Sequence, residues 1–106
     1  MLFKLVNIDT DSRLVNFIFR NNDEELVVKT RNGDMFVPNV TYDIHIMRKL
    51  EIVLNQTYSL GVVTRKTRKS VRIQSGTTLW IVPHHMCQFN PGMDVWIYVS
   101  QIVEKN

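Results

Sequence analysis

Ser70-Val71-Arg72-Ile73-Gln74-Ser75-Gly76-Thr77-Thr78-Leu79-Trp80-Ile81-Val82 is the stretch that decides the fold class. Apolar and polar residues alternate through Ser70–Gln74, the period of a half-buried strand, which puts Val71 and Ile73 on one face and Arg72 on the other. Ser75-Gly76 interrupts the run with a residue that reaches positive φ at little cost, and Leu79–Val82 resumes it. The stretch reads as an antiparallel hairpin. Its turn length is left open by the sequence and decides the place of Trp80. An even turn sets Trp80 on the Val71/Ile73 face, whereas a three-residue loop sets it beside Arg72.

Outward from this hairpin the same pattern recurs. Short apolar stretches are found at Leu2–Asn7, Leu14–Arg20, Leu26–Arg31, Met35–Val37, Leu50–Asn55, Tyr58–Arg65 and Val95–Ile102. A spacing of roughly ten residues is that of a sandwich or small barrel. Asp9-Thr10-Asp11-Ser12 reads as a polar turn, Asn32-Gly33 as a tight hairpin turn, and Asn90-Pro91-Gly92 as a further turn. Asn39–Lys49 stays open between a strand carrying Tyr42, Ile44 and Ile46 and a helical turn ending near Arg48. The chain contains no alanine, while Val, Ile and Thr abound, and this bias favours strands over helices. The expected class is all-β.

A chain of 106 residues supports one shared core, so residues 1–106 are expected to form a single domain. Hydrophobic content of 44% and charged content of 22% are those of a packed globular protein rather than a disordered one. Cys87 is the only cysteine and has no partner for an internal disulfide. No apolar run approaches the ~18 residues of a membrane helix, and Met1–Asn7 is too short for a signal peptide. Asn39-Val40-Thr41 and Asn55-Gln56-Thr57 are glycosylation sequons only in a secreted chain. These readings give a cytoplasmic protein with no membrane partner. Scarce Gly and absent Ala beside many Asn, Ile and Lys suit the AT-rich coding of small phage-like accessory proteins.

Sliding the chain on itself by 45 residues aligns two halves, about 13–57 and 58–102, without a gap. Arg20 falls on Arg65, Leu26 on Val71, Val28 on Ile73, and Val37-Pro38 on Val82-Pro83. Leu50, Ile52, Leu54 and Gln56 fall on Val95, Ile97, Val99 and Gln101. The implied architecture is a tandem repeat of two ~45-residue strand units sharing a pseudo-twofold sandwich or barrel. Phe89-Asn90-Pro91-Gly92-Met93-Asp94-Val95-Trp96-Ile97-Tyr98-Val99 resembles the Pro-Gly turn and alternating strand of SH3-like and related small barrels. That resemblance implies an SH3-like architecture and carries no function.

Charge separates the halves. Formal net charge is +3, but residues 1–57 hold seven Lys/Arg against eight Asp/Glu, and residues 58–106 hold six against two. The loop Asn21-Asn22-Asp23-Glu24-Glu25 is acidic, while its aligned counterpart Lys66-Thr67-Arg68-Lys69, flanked by Arg65 and Arg72, is basic. A basic hairpin tip with an outward arginine contacts phosphates without reading sequence. The plain alternative is a solvated turn. If Val95, Ile97 and Val99 face the core, Trp96 and Tyr98 face outward and offer rings on which bases stack, unless the strand is apolar on both sides because it is covered.

Other constellations carry less. His84-His85-Met86-Cys87 lacks the spaced second pair of a zinc site, so no metal or cofactor is expected. Cys87 aligns with Tyr42 and reads as a small buried side chain. His45 near Asp43 and Glu51 is the only local acid–base set, and the four scattered glycines form no phosphate-cradling loop. The expectation is a non-enzymatic binding module. It contacts RNA or single-stranded DNA through Arg65, Lys66, Arg68, Lys69, Arg72, Trp96 and Tyr98. The alternative is a small phage-like inhibitor or adaptor docking on an acidic protein surface. A homo-oligomeric subunit, whose Asp23-Glu24-Glu25 loop meets a neighbour's Lys66–Lys69 loop, is the third possibility.

Overall fold

The structure is a computed structural model of the chain and describes residues 1–22, 24–49 and 58–103. Eight strands form: β1 (Leu2–Asp11), β2 (Leu14–Asn21), β3 (Glu24–Thr30), β4 (Thr41–Arg48), β5 (Tyr58–Lys66), β6 (Ser70–Ser75), β7 (Thr78–Pro83) and β8 (Asp94–Gln101). One 3-10 turn, His84–Met86, follows β7. The strands close into an antiparallel barrel in the order β1-β2-β3-β7-β6-β5-β8-β4. Closure pairs strands with one another around the ring and so removes the free edges of an open sheet, except where β1 runs on past Leu5 beyond its pairing with β4.

Alternation fills the interior. Phe17 and Phe19 of β2, Leu26 and Val28 of β3, Val71 and Ile73 of β6, Trp80 and Val82 of β7, and Val95 and Ile97 of β8 are all buried in one cluster. The β6–β7 register pairs Ser75 with Thr78, which leaves Gly76-Thr77 as a two-residue turn with Gly76 at φ 58°. Ile73 therefore faces Trp80, and Trp80 is 1% exposed in the core. The even turn is the one that forms.

Asn32-Gly33 does not make a hairpin, and Met35–Val37 is not a strand. Thr30 Oγ1 accepts from the Asn32 amide at 3.2 Å, and Asn32 Oδ1 accepts from the Asp34 amide at 3.1 Å. These short polar side chains bend the backbone into a loop over 31–40 that leads to β4, which pairs with β1 and β8 and not with β3. The loop delivers Phe36 into the barrel. Its ring lies 5.1 Å from Phe17, 5.0 Å from Phe19, 5.3 Å from Tyr42 and 6.0 Å from Trp80, each edge to face. Tyr42 Oη accepts from the Val37 amide at 2.8 Å and fastens the loop beside that ring.

One further boundary differs from the sequence reading, and one open choice is decided. β1 runs on to Asp11, so the turn falls at Ser12-Arg13 with Ser12 at φ 56°, and Asn39–Lys49 resolves into β4. Leu50–Asn55 lies outside the described residues, as do Glu51, Val53 and the Leu50, Ile52, Leu54 and Gln56 matches. The 45-residue shift lays β2 on β5, which hold unlike places in the ring.

The ring has a different internal correspondence. The order β4-β1-β2-β3 is matched by β8-β5-β6-β7. β1 bulges between Leu5 and Asn7, and β5 bulges between Val63 and Arg65. Leu5 accepts from Asn39 N and donates to Val40 O, both at 3.0 Å. Val63 accepts from Gly92 N at 2.8 Å and donates to Met93 O at 3.0 Å. Asn39 and Gly92 both take positive φ, 63° and 93°, one residue after a proline. A shift of 53 residues brings Phe36-Val37-Pro38-Asn39-Val40 onto Phe89-Asn90-Pro91-Gly92-Met93, and Ile44 onto Ile97.

Two substitutions test this packing. Phe36→Ala is expected to lower stability by about 3–5 kcal/mol in denaturant unfolding, since it empties the space between four rings. At Gly61 a Cβ would lie 2.6 Å from Ile73 Cγ2 and 3.2 Å from Ile97 Cδ1, so Gly61→Ala is expected to cost about 1–3 kcal/mol. Gly33→Ala, whose Cβ would meet nothing closer than 3.6 Å, serves as the reference. Equal midpoints for the two glycine variants would refute the close approach at Gly61.

Candidate functional site

The basic hairpin is built by β5 and β6. Their register sets Arg65 directly opposite Arg72, after the bulge that follows Val63. Residues paired across a ladder share a face, and because Val71 and Ile73 are buried, Arg72 and Arg65 point away from the core. Both are exposed. Like charges placed opposite each other destabilise a sheet pair unless something neutralises them. Among the described residues, none of Arg65, Arg68, Lys69 and Arg72 forms an ion pair with a carboxylate.

The tip is rigidly made. Thr67 N donates to Ser70 O at 2.9 Å. Thr67 Oγ1 accepts from Lys69 N at 3.3 Å and from Ser70 N at 3.1 Å, which caps the turn. His84 then staples it from the side: its amide donates to Lys69 O at 3.2 Å, and its Nδ1 lies 2.7 Å from Thr67 O. Lys66 is turned inward along the surface, with Nζ donating to Gln88 O at 3.2 Å. The cations that project are therefore Arg65, Arg68, Lys69 and Arg72.

The aromatic residues stand on the same outer wall. Val95 and Ile97 are buried, and Trp96 and Tyr98 alternate outward, each half-buried among neighbouring side chains. Tyr98 lies opposite Tyr58 of β5 and His45 of β4, and Trp96 lies opposite Leu60 and Met47. The Tyr58 ring is 5.2 Å from Tyr98 and 6.3 Å from Trp96, and His45 is 5.8 Å from Tyr98. Lys49 Nζ sits 5.8 Å from the Trp96 ring centroid, a cation–π contact. Leu60 and Val62, 45% and 39% exposed, continue the wall along β5 toward Arg65. Five residues separate Leu60 from Arg65, roughly 16 Å of strand. Asp94, opposite Val62, is a carboxylate on this surface.

The structure thus brings Arg65, Arg72, Trp96 and Tyr98 onto one wall, with Arg68 and Lys69 at its tip, and it turns Lys66 aside. Tyr58, Leu60, Val62, His45 and Lys49 are members of the wall that the sequence reading missed. Their signal was the outward half of the β5 and β4 alternation, meaningful only once both strands are known to flank β8.

The remaining groups are engaged elsewhere. His85 Nε2 pairs with Glu24 Oε2, while His84 serves the basic tip, so the two adjacent histidines serve different partners. Glu25 pairs with Arg20 at 3.3 Å. Asp43 Oδ1 is 2.8 Å from both the Met1 ammonium and His45 Nε2. The hydrogen bond from the ammonium holds the Asp43 carboxyl below its ordinary pKa against the opposing effect of desolvation, and the ammonium charge and His45 add to the lowering. Cys87 is buried, and burial pushes its thiol above the ordinary value, which suppresses the thiolate. A cleft of about 550 Å³ lies beside Lys4, Asn39, Thr41 and Gln101, away from the basic hairpin.

No family model matches the chain, and no curated protein is similar to it.

Thr67→Val tests the capped tip. Loss of the hydroxyl acceptor removes hydrogen bonds worth about 1 kcal/mol, so the Ser70 amide should exchange about fivefold faster while the Ile73 amide is unchanged. Equal acceleration at both amides would show that the tip is held by something other than Thr67.

Proposed function

We propose that this chain is a non-enzymatic binding module that holds single-stranded nucleic acid, RNA or DNA, along the outer wall of β5, β6 and β8. The observation that carries the reading is the shared wall. Four projecting cations without carboxylate partners among the described residues stand in line with a cluster of half-exposed rings. Phosphates neutralise Arg65, Arg68, Lys69 and Arg72, and splayed bases lie on the Tyr58, Tyr98 and Trp96 side. A wall roughly 16 Å long with rings at one end suits an unpaired strand, whose bases are free to stack.

Two finer features belong to this reading. The four-strand order repeated in the ring fits two equivalent SH3-like units, with the second the one that carries the site. A cytoplasmic setting gives access to RNA. Self-assembly through the 23–25 loop draws less support, because Glu24 and Glu25 are paired with His85 and Arg20 of their own chain.

Anisotropy titration of a fluorescein-labelled 12-mer of uridine or thymidine at several salt concentrations tests the proposal. Neutralising about four phosphates of a single strand gives a slope of log K against log salt near −3. The Arg65/Arg68/Lys69/Arg72→Ala variant should flatten that slope. Tyr98→Ala should weaken binding by about 1–3 kcal/mol without changing it, and Asp94→Asn should tighten binding. No binding at low salt, or a slope indifferent to the four cations, refutes the reading.

A further inference from the structure

The β1–β2 hairpin leaves the barrel. β1 pairs with β4 only over Leu2–Lys4, and Leu5 takes the pinning bonds to Asn39 and Val40. From Val6 to Asp11, β1 has β2 on one side and, among the described residues, no strand on the other. All six of these residues are exposed. In the matching hairpin β5 ends at Lys66, three residues past Val63, and its flank is occupied by Gln88 and His84. β1 runs six residues past Leu5, and the added length plays no part in closing the ring.

The backbone direction on this edge follows from the bonds. The N–H and C=O of Leu5 point away from β2, to Val40 and Asn39. After the one-residue bulge, alternation puts the N–H and C=O of Ile8 and Thr10 on that same outer side. The Ile8 amide donates to Asn7 Oδ1 at 3.0 Å, which an amide bonded to β2 is not free to do. Asn7, Asp9 and Asp11 alternate with these residues, so both carboxylates lie on one face of the edge, and neither forms an ion pair among the described residues.

We infer that Val6–Asp11 is a strand-addition site for an extended segment of a partner protein carrying Lys or Arg at every second position. Such a segment bonds to the backbone of Ile8 and Thr10, displaces the Asn7 side chain from the Ile8 amide, and sets its cations about 5 Å from Asp9 and Asp11. Charge selects this occupant over a second copy of the arm. Two arms laid edge to edge bring four carboxylates together.

The test uses the full chain, labelled for amide exchange, and a blocked heptapeptide alternating threonine and lysine. The expected result is at least tenfold slower exchange at Ile8 and Thr10. It should be lost with glutamate in place of lysine and with a peptide N-methylated on alternate amides. Asp9→Asn/Asp11→Asn should raise Kd about tenfold, Asn7→Val should lower it, and nucleic-acid binding should be unchanged in both. Indifference to N-methylation or to peptide charge overturns the inference. So does protection that rises with protein concentration alone, which would mark arm-to-arm pairing instead.

Discussion

Phe36 enters the barrel from a loop, and its ring meets Phe17 and Phe19 of β2, Tyr42 of β4 and Trp80 of β7, all edge to face. An eight-stranded barrel encloses a space that side chains have to fill, and strands alone fill it only where they face inward. Here the loop between β3 and β4 supplies the missing ring. Tyr42 then accepts from the Val37 amide, so the strand that follows the loop fixes the loop in place. The same loop therefore covers this end of the barrel and leads into β4, between β1 and β8. The outer wall depends on it, because His45 and Met47 reach Tyr98 and Trp96 only when β4 lies against β8.

The same alternation that fills the interior writes the exterior. Burial of Val71 and Ile73 forces Arg72 outward, burial of Val95 and Ile97 forces Trp96 and Tyr98 outward, and Gly61 between Leu60 and Val62 does so for those two. What alternation does not require is Arg65 opposite Arg72, a like-charge pairing that works against stability. An anion lying across both removes that penalty. A capped turn and a histidine staple fix the backbone from which Arg68 and Lys69 project, so the proposed binding would need to order side chains there and not the turn itself.

Local features were legible in the sequence and long-range ones were not. Strand periodicity gave the all-β class and the outward direction of Arg72, Trp96 and Tyr98. Trp80 was undecided because its face turns on a single residue of loop length, and the observed Gly76-Thr77 turn is even. Asn32-Gly33 misled because a tight-turn signal reports local backbone preference, while the partner of β3 is β7, some fifty residues on. The 45-residue alignment was anchored on two Val-Pro pairs that do different work, one in the Phe36 loop and one at the end of β7. The 53-residue correspondence was present in Phe36-x-Pro38 and Phe89-x-Pro91, but only the bonds at Leu5 and Val63 show that those prolines precede equivalent turns. Tyr58, Leu60 and Val62 joined the site for the same reason, through a strand neighbour that the sequence does not name.

The two hairpins that follow the bulges occupy matching places in the ring and differ in length, charge and flanking groups. One is short, cationic and flanked by Gln88 and His84, so what it offers a partner is its side chains. The other is long, carries Asp9 and Asp11, and among the described residues keeps the edge of Ile8 and Thr10 open, so what it offers a partner is its backbone. Opposite charge matters as much as geometry here. A polyanion drawn to the first hairpin is repelled by the second, and an extended cationic segment suited to the second is repelled by the first. If both proposals hold, the two surfaces sort their partners by charge, because the hairpins that carry them have opposite signs.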